Sequence, residues 1–209
     1  MVINEANMKQ IFALFLSSFI LSLGALQAQE DTTGFWNRIF LPSLDVGYQI
    51  AHSDLIDNSV KFGTSIEYRF TNNNDFFVRL CYDTYGAKYA LRQANTTNTI
   101  EGTAQFTDVF FGPGYRFGDR TFRVMVAFTP GIKLYEFPTA EFEDERVLIT
   151  QNARSVLSAN LLTTIEYYFD EKSALTLSLF QNYVFEDVDF WARGRNATGF
   201  SIGFITSLM

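Results

Sequence analysis

The chain has 209 residues, a length that suits one domain better than two, with 17% aromatic and 19% charged residues. Disordered chains lack such aromatic content, and a helical membrane bundle would show several long uncharged runs. The formal charge of −7 disfavours a phosphate-neutralising nucleic-acid binder, while one cysteine (Cys81) and one histidine (His52) exclude a disulfide framework, a thiolate zinc site and a His-rich metal cluster.

At the amino terminus, Met8-Lys9 opens a short basic region and Ile11 to Leu23 is almost continuously apolar. Leu26-Gln27-Ala28 then offers a small-residue cleavage position. Residues 1–28 therefore read as a signal peptide for the general secretory route, too short and wrongly flanked for a membrane anchor. Residues 29–40, with Phe35 and Trp36, read as a periplasmic or interfacial lead-in, and 41–209 as a barrel domain.

From there the chain alternates with period two, the signature of strands with two unlike faces. Leu44, Val46, Tyr48 and Ile50 form the first apolar face, against Asp45, Gly47 and Gln49. Val60, Phe62, Ile66, Tyr68 and Phe70 form the second, and Phe76, Val78, Leu80 and Tyr82 the third. Val109, Phe111, Tyr115 and Phe117 follow, then Phe122, Val124, Val126 and Phe128 against Arg123, Met125, Ala127 and Thr129. Leu157, Leu161, Ile165, Tyr167 and Phe169, then Leu175, Leu177, Leu179 and Tyr183, then Phe200, Ile202, Phe204 and Leu208 complete eight strands.

The connections alternate in length. Thr71 to Asp75, Gly118 to Arg120 and Asp170 to Ser173 are tight polar turns. Gln93 to Thr99, Pro138 to Gln151 and Glu186 to Ala197 are longer, and Ser53 to Asn58 is short. This is the pattern of an up-and-down transmembrane barrel with periplasmic turns, in which termini on one side require an even strand number. A hairpin centred on Asn73 sets Phe70 against Phe76, Tyr68 against Val78 and Ile66 against Leu80. It also sets Glu67 against Arg79 on the polar face.

Three features turn the polar face inward. It is rich in Gly, Ser, Thr and Asn, which suit a crowded eight-stranded lumen. It carries balanced charges: Asp45, Glu67, Asp83, Asp108 and Glu166 against Lys61, Arg69, Arg79, Arg116 and Arg123. Aromatics crowd the tight turns (Tyr68, Phe70 and Phe76; Tyr115, Phe117 and Phe122; Tyr167 and Phe169), as in an interfacial girdle.

On the signal ending "LQAQ", the strand ends "GPGYRFGD" and "TIEYYFDEKS", and the closing strand "TGFSIGFITSL", the chain resembles small OmpA/OmpX-type barrels. It resembles more closely the porin-family outer membrane β-barrel domain proteins of Bacteroidota. The resemblance implies an outer-membrane location, lipid and lipopolysaccharide as surroundings, and the barrel assembly machinery as a partner in biogenesis. Such barrels end on an aromatic residue read by that machinery, whereas this chain ends Leu208-Met209.

No catalytic, cofactor-binding or metal-ligating residue is assigned, and no cofactor or nucleic-acid partner is expected. The charge set reads as a structural ladder rather than a conduction path, because eight strands leave no aqueous channel. His52 lies beside Ser53 and Asp54, but adjacent strand residues point to opposite faces, which weakens a catalytic reading. The acidic runs Glu141, Glu143, Asp144, Glu145 and Glu186, Asp187, Asp189 match no defined calcium loop. Phe190-Trp191 with Arg193 and Arg195 reads as an interfacial anchor beside a basic turn. Asn95-Thr96-Thr97 carries little meaning in such a location, and Cys81 reads as a lumen filler. The expected protein is an integral, non-enzymatic outer-membrane barrel with a closed, salt-bridged lumen, serving envelope integrity or binding through its loops. The alternatives are a lipid A-modifying enzyme and a soluble, lipocalin-like lipid binder.

Overall fold

Strands with one apolar and one polar face must hide one of them, and here they do so by closing a ring in which every strand has two neighbours. The computed structural model describes residues 38–70, 75–92, 99–143, 146–188, 193–194 and 196–207. The expected signal, most of the lead-in and Leu208-Met209 lie outside them. The strands are β1 (Ile39–Ala51), β2 (Ser59–Arg69), β3 (Phe76–Arg92), β4 (Thr99–Gly118), β5 (Phe122–Glu143), β6 (Arg146–Tyr168), β7 (Ser173–Val184) and β8 (Ala197–Ser207). They form one closed barrel in sequence order, β8 pairing antiparallel with β1. β1 begins two residues before the expected barrel boundary at 41, so Ile39 and Phe40 belong to the barrel wall.

The expected register holds. Tyr68 pairs with Val78, Glu67 with Arg79 and Ile66 with Leu80, while Phe70 donates its backbone N–H to Phe76 O. The faces are inverted relative to a soluble protein. Outward-facing Leu179 and Ile202 are 63% and 61% exposed, with Leu44, Val60, Phe62, Ile165, Leu177 and Phe200 also exposed. Lys61, Glu67, Arg69, Asp108, Arg116 and Glu166 are buried. A lipocalin-like protein requires the opposite arrangement, because its apolar face must leave water. Among the described residues no helix is long and apolar enough to cross a membrane; the strands present the apolar band instead.

At the turn end, Asp119 Oδ1 accepts the backbone N–H groups of Thr121 and Phe122, each at 2.7 Å, and these bonds hold its carboxyl below the usual aspartate range. Gly118 precedes this turn at φ +131, a conformation side chains disfavour. Aromatic rings pair around the same end: Phe70 with Phe76, Phe122 with Tyr167 and Phe169 with Phe204.

At the other end, the loop end, the connection expected over Pro138 to Gln151 is a hairpin. β5 and β6 pair continuously to Glu143↔Arg146. The β4–β5 ladder stops at Gln105↔Glu136 and the β6–β7 ladder at Ser158↔Val184, so this hairpin rises above the rim. The side chains of Glu141 and Glu143, the residues Asp144, Glu145, Asp189, Phe190, Trp191 and Arg195, and the Asn95-Thr96-Thr97 segment lie outside what is described.

Candidate functional site

The described lumen side chains form three apolar clusters and two charged groups. At the turn end sit Phe40, Tyr168, Ala174 and Ile205. Above them lies a guanidinium–carboxylate tier of Glu67, Glu166, Arg69, Arg79 and Arg116. A second apolar cluster, of Phe77, Met125, Ala127, Leu162 and Phe180, packs against this tier, Met125 Sδ lying within 4 Å of Arg79 and Arg116 nitrogens. Next comes an ammonium–carboxylate tier around Lys61, Asp83, Asp108 and Lys133. An aromatic cluster then closes the loop end.

In the lower tier, Arg116 Nε and Nη2 donate to Glu166 Oε2 and Oε1, both at 2.7 Å, and Nη2 also donates to Glu67 Oε2 at 2.6 Å. One guanidinium thereby joins β4 to β6 and to β2, using the planar fork that matches a carboxylate. Arg79 Nη1 lies 3.4 Å from Glu67 Oε1, and Arg69 Nη2 lies 3.4 Å from Glu67 Oε2. Tyr168 OH donates to Glu166 Oε2 at 3.1 Å. Aromatic faces flank the cations, with Arg69 Cζ 3.4 Å from the Phe40 ring centre and Arg116 Cζ 4.3 Å from that of Phe77. The expected Glu67–Arg79 pair is thus present, but Glu67 makes its shortest contact with Arg116.

In the upper tier, Lys133 Nζ donates to Asp108 Oδ1 and Oδ2 at 2.5 and 2.6 Å and to Tyr85 OH at 2.6 Å. Lys61 Nζ donates to Asp83 Oδ2 at 3.0 Å and sits 3.8 Å over the Phe180 ring. Asp45 lies on the same inward face of β1 and is partly buried.

The charge balance survives with one exchange. Arg123 is not a lumen cation: it is partly exposed at the turn end, its Nε donating to Asp119 O at 3.0 Å and its guanidinium lying over Tyr168. The fifth inward cation is Lys133, fully buried. β5 runs on through Pro130, and the odd-numbered phase Arg123, Met125, Ala127, Thr129 continues to Lys133 and Tyr135. Extending that phase would have located Lys133.

The lumen aromatics were also missed. They interrupt the polar face, yet several stand across from a glycine on the next strand: Phe77 from Gly114, Tyr89 from Gly102, Phe180 from Gly199 and Phe110 from Gly131. A Cβ on Gly114 or Gly102 would collide with the facing ring. The glycines make room for rings that fill the barrel, and this pairing is the signal the sequence offered. Phe77, Phe110, Met125, Arg116, Asp108 and Lys133 are fully buried, so the described lumen is densely filled around them.

The mouth at the loop end is closed by Tyr85 stacked on Phe106 (centres 4.9 Å apart), Phe106 stacked on Tyr135, and Ile56. Ile56 arrives from the β1–β2 connection, which folds inward to bridge Tyr89; Asp57 N donates to Lys88 O and Ala90 N to Leu55 O. His52 Nε2 lies 3.1 Å from Thr198 Oγ1, whereas Ser53 Oγ accepts the Leu55 N–H. Histidine and serine thus face different neighbours, and no nucleophile–base pair forms between them. Cys81 is a buried residue of the β3 inward face.

Above this plug lies a cavity of about 420 Å3. Its floor is Tyr135 and Val156 of the aromatic cluster, with Val188 packed against them. Arg154, the cross-strand partner of Tyr135, and Ser155 form one wall; Glu186 and Asp187 of the β7–β8 connection form the other. Among the described residues of that connection, Arg193 N donates to Asp187 Oδ1 at 2.7 Å, Arg193 Nε to Phe185 O at 2.6 Å and Gly194 N to Val184 O at 2.8 Å. Arg193 is an exposed turn residue, as expected, and bonds back to Phe185 and Asp187. Among the described residues no cluster of side chains suited to a metal ion occurs.

No family model matches the chain, and no curated protein matches it in sequence. Its fold does match solved structures. It is similar to Neisserial surface protein A, at 13% identity over 81% of this chain and 97% of that one, with a TM-score of 0.55. It is also similar to the outer membrane protein OprG from Pseudomonas aeruginosa, at 12% identity over 84% of this chain and 98% of that one, again at 0.55. At such identities the likeness concerns the fold, which is that of an eight-stranded transmembrane β-barrel.

Proposed function

We propose that the protein is an integral, non-enzymatic barrel of a bacterial outer membrane, with its tight turns on the periplasmic side. Its lumen is a sealed scaffold, and its work lies in envelope integrity or in binding at the outward loop end. The observation that carries this reading is the inside-out packing: an exposed apolar belt surrounds buried, interlocked ion pairs and rings. The apolar run of Ile11 to Leu23 supports export by the secretory route, with residues 1–28 removed and 29–40 leading into the wall. Lipopolysaccharide as surroundings, and the assembly machinery as a partner, follow from that location. The finer assignment to the porin-family barrel proteins of Bacteroidota rests on the strand-end motifs alone.

Fractionation with heat-modifiable gel migration tests the location. The folded protein is expected in the membrane fraction, migrating differently before and after boiling; recovery wholly in the soluble fraction would sink the reading. In planar bilayers it is expected to give no stepwise conductance.

A further inference from the structure

We propose that the guanidinium–carboxylate tier of the lumen holds one small monovalent anion, a halide, among Arg69, Arg79 and Arg116. Three guanidiniums there meet two carboxylates, Glu67 and Glu166, which leaves an excess positive charge in the tier. The next lumen carboxylate, Asp45, is engaged by Lys61 and Ser201 ahead of Arg79. The excess is matched by donors without acceptors. All three guanidiniums gather around the Glu67 carboxylate, yet Arg69 Nη1, Arg79 Nε and Arg116 Nη1 are buried and make no hydrogen bond among the described residues. A buried charged donor without an acceptor costs more than a lost hydrogen bond. Ring stacking does not answer that cost. Arg69 lies over Phe40 and Arg116 over Phe77, contacts that use the guanidinium face and leave these in-plane N–H groups unbonded.

The chemistry of the unmet groups selects the occupant. All three are donors, so a ligand that only accepts fits them, whereas a water would bring two protons needing acceptors of their own. The unbonded acceptor of the tier, Glu67 Oε1, already faces Arg79 Nη1 at 3.4 Å. A single negative charge cancels the excess, and a divalent anion would overshoot it. Size narrows the choice further, because Arg69, Arg79 and Arg116 are all buried. A carboxylate or phosphate needs room for several heavy atoms, a halide for one. Burial also sets the kinetics: the anion enters as the strands close and leaves only when they open. The inference concerns how the barrel is completed and is independent of any role of its loops.

The test uses the full chain refolded in detergent with sodium chloride, sodium bromide or sodium gluconate at equal ionic strength, folding being checked by heat-modifiable migration. Crystals of the bromide-refolded protein are expected to show an anomalous peak among Arg69, Arg79 and Arg116. Urea-dependent loss of the fast-migrating form should be at least about tenfold slower in chloride than in gluconate. Arg69→Met, which brings the tier to neutrality, should erase that difference. Lys61→Met, which removes a lumen cation outside the tier, should keep it. Where Arg69→Met does not fold, the anomalous peak in the unmutated protein still decides. Bromide at the surface alone, an adventitious ion only, would overturn the inference. Density at the site without anomalous signal would mark a water and overturn it too, as would equal unfolding in chloride and gluconate with no bromide peak.

Discussion

The two charged tiers of the lumen solve one problem with different chemistry. In the lower tier a guanidinium, Arg116, holds two glutamates at once and ties β4 to both β2 and β6. In the upper tier an ammonium, Lys133, holds one aspartate on the neighbouring strand β4, with Tyr85 as its second partner. A planar fork braces the barrel across several strands, whereas a point charge closes a local pair. The lower tier is therefore the structural hub, and the upper tier is a filler whose parts can be exchanged together.

Arg116→Met sharpens this contrast most. It leaves Glu67 and Glu166 buried without their shared partner and is expected to lower stability by about 3–5 kcal/mol, measured by urea-dependent loss of the fast-migrating gel form. Neutralising one glutamate alone should not restore it. Lys133→Met is expected to cost less, about 1.5–3 kcal/mol for its charged hydrogen bonds, and adding Asp108→Leu should recover most of that. Equal losses with equal rescue would break the distinction between the tiers.

Ile56→Asp addresses the outer plug alone. Amide exchange at Asp57 and Ala90, whose bonds to β3 close the mouth, should quicken by about tenfold or more. Bilayer conductance should stay absent, because the layers beneath are independent barriers. The smallest expected effect lies in the turn. The Asp119 carboxyl is held below its ordinary value of 3.8, so its contribution is present above that pH and fades as pH falls through the lowered value. Asp119→Asn, which keeps an acceptor for Thr121 and Phe122 but cannot titrate, should flatten this slight acid sensitivity in unfolding scans.

The wall of the barrel was legible because a two-residue period with one apolar face is a direct consequence of strand geometry and lipid contact. Even the Glu67↔Arg79 register followed from the turn. The lumen was legible only in its charges. Its rings sit on the face read as polar, so Phe77, Phe110 and Phe180 look like breaks in a pattern until their glycine partners on the next strand are known. Lys133 was hidden behind Pro130-Gly131, which resembles a strand end, although neighbouring strands hold the chain extended there. The outer cavity had no local signal at all: Arg154 and Glu186 come to line it together through tertiary placement of β6 and the β7–β8 connection.

The central claim is that the apolar face looks out into lipid and the charged face is sealed inside. Single cysteines placed from Leu175 to Gln181 in the Cys81→Ala protein, fluorescently labelled and exposed to a chain-borne quencher in reconstituted bilayers, test it directly. Quenching is expected to alternate with period two, strong at 175, 177 and 179 and weak at 176 and 178. Uniform quenching along β7, or the opposite phase, would contradict the account.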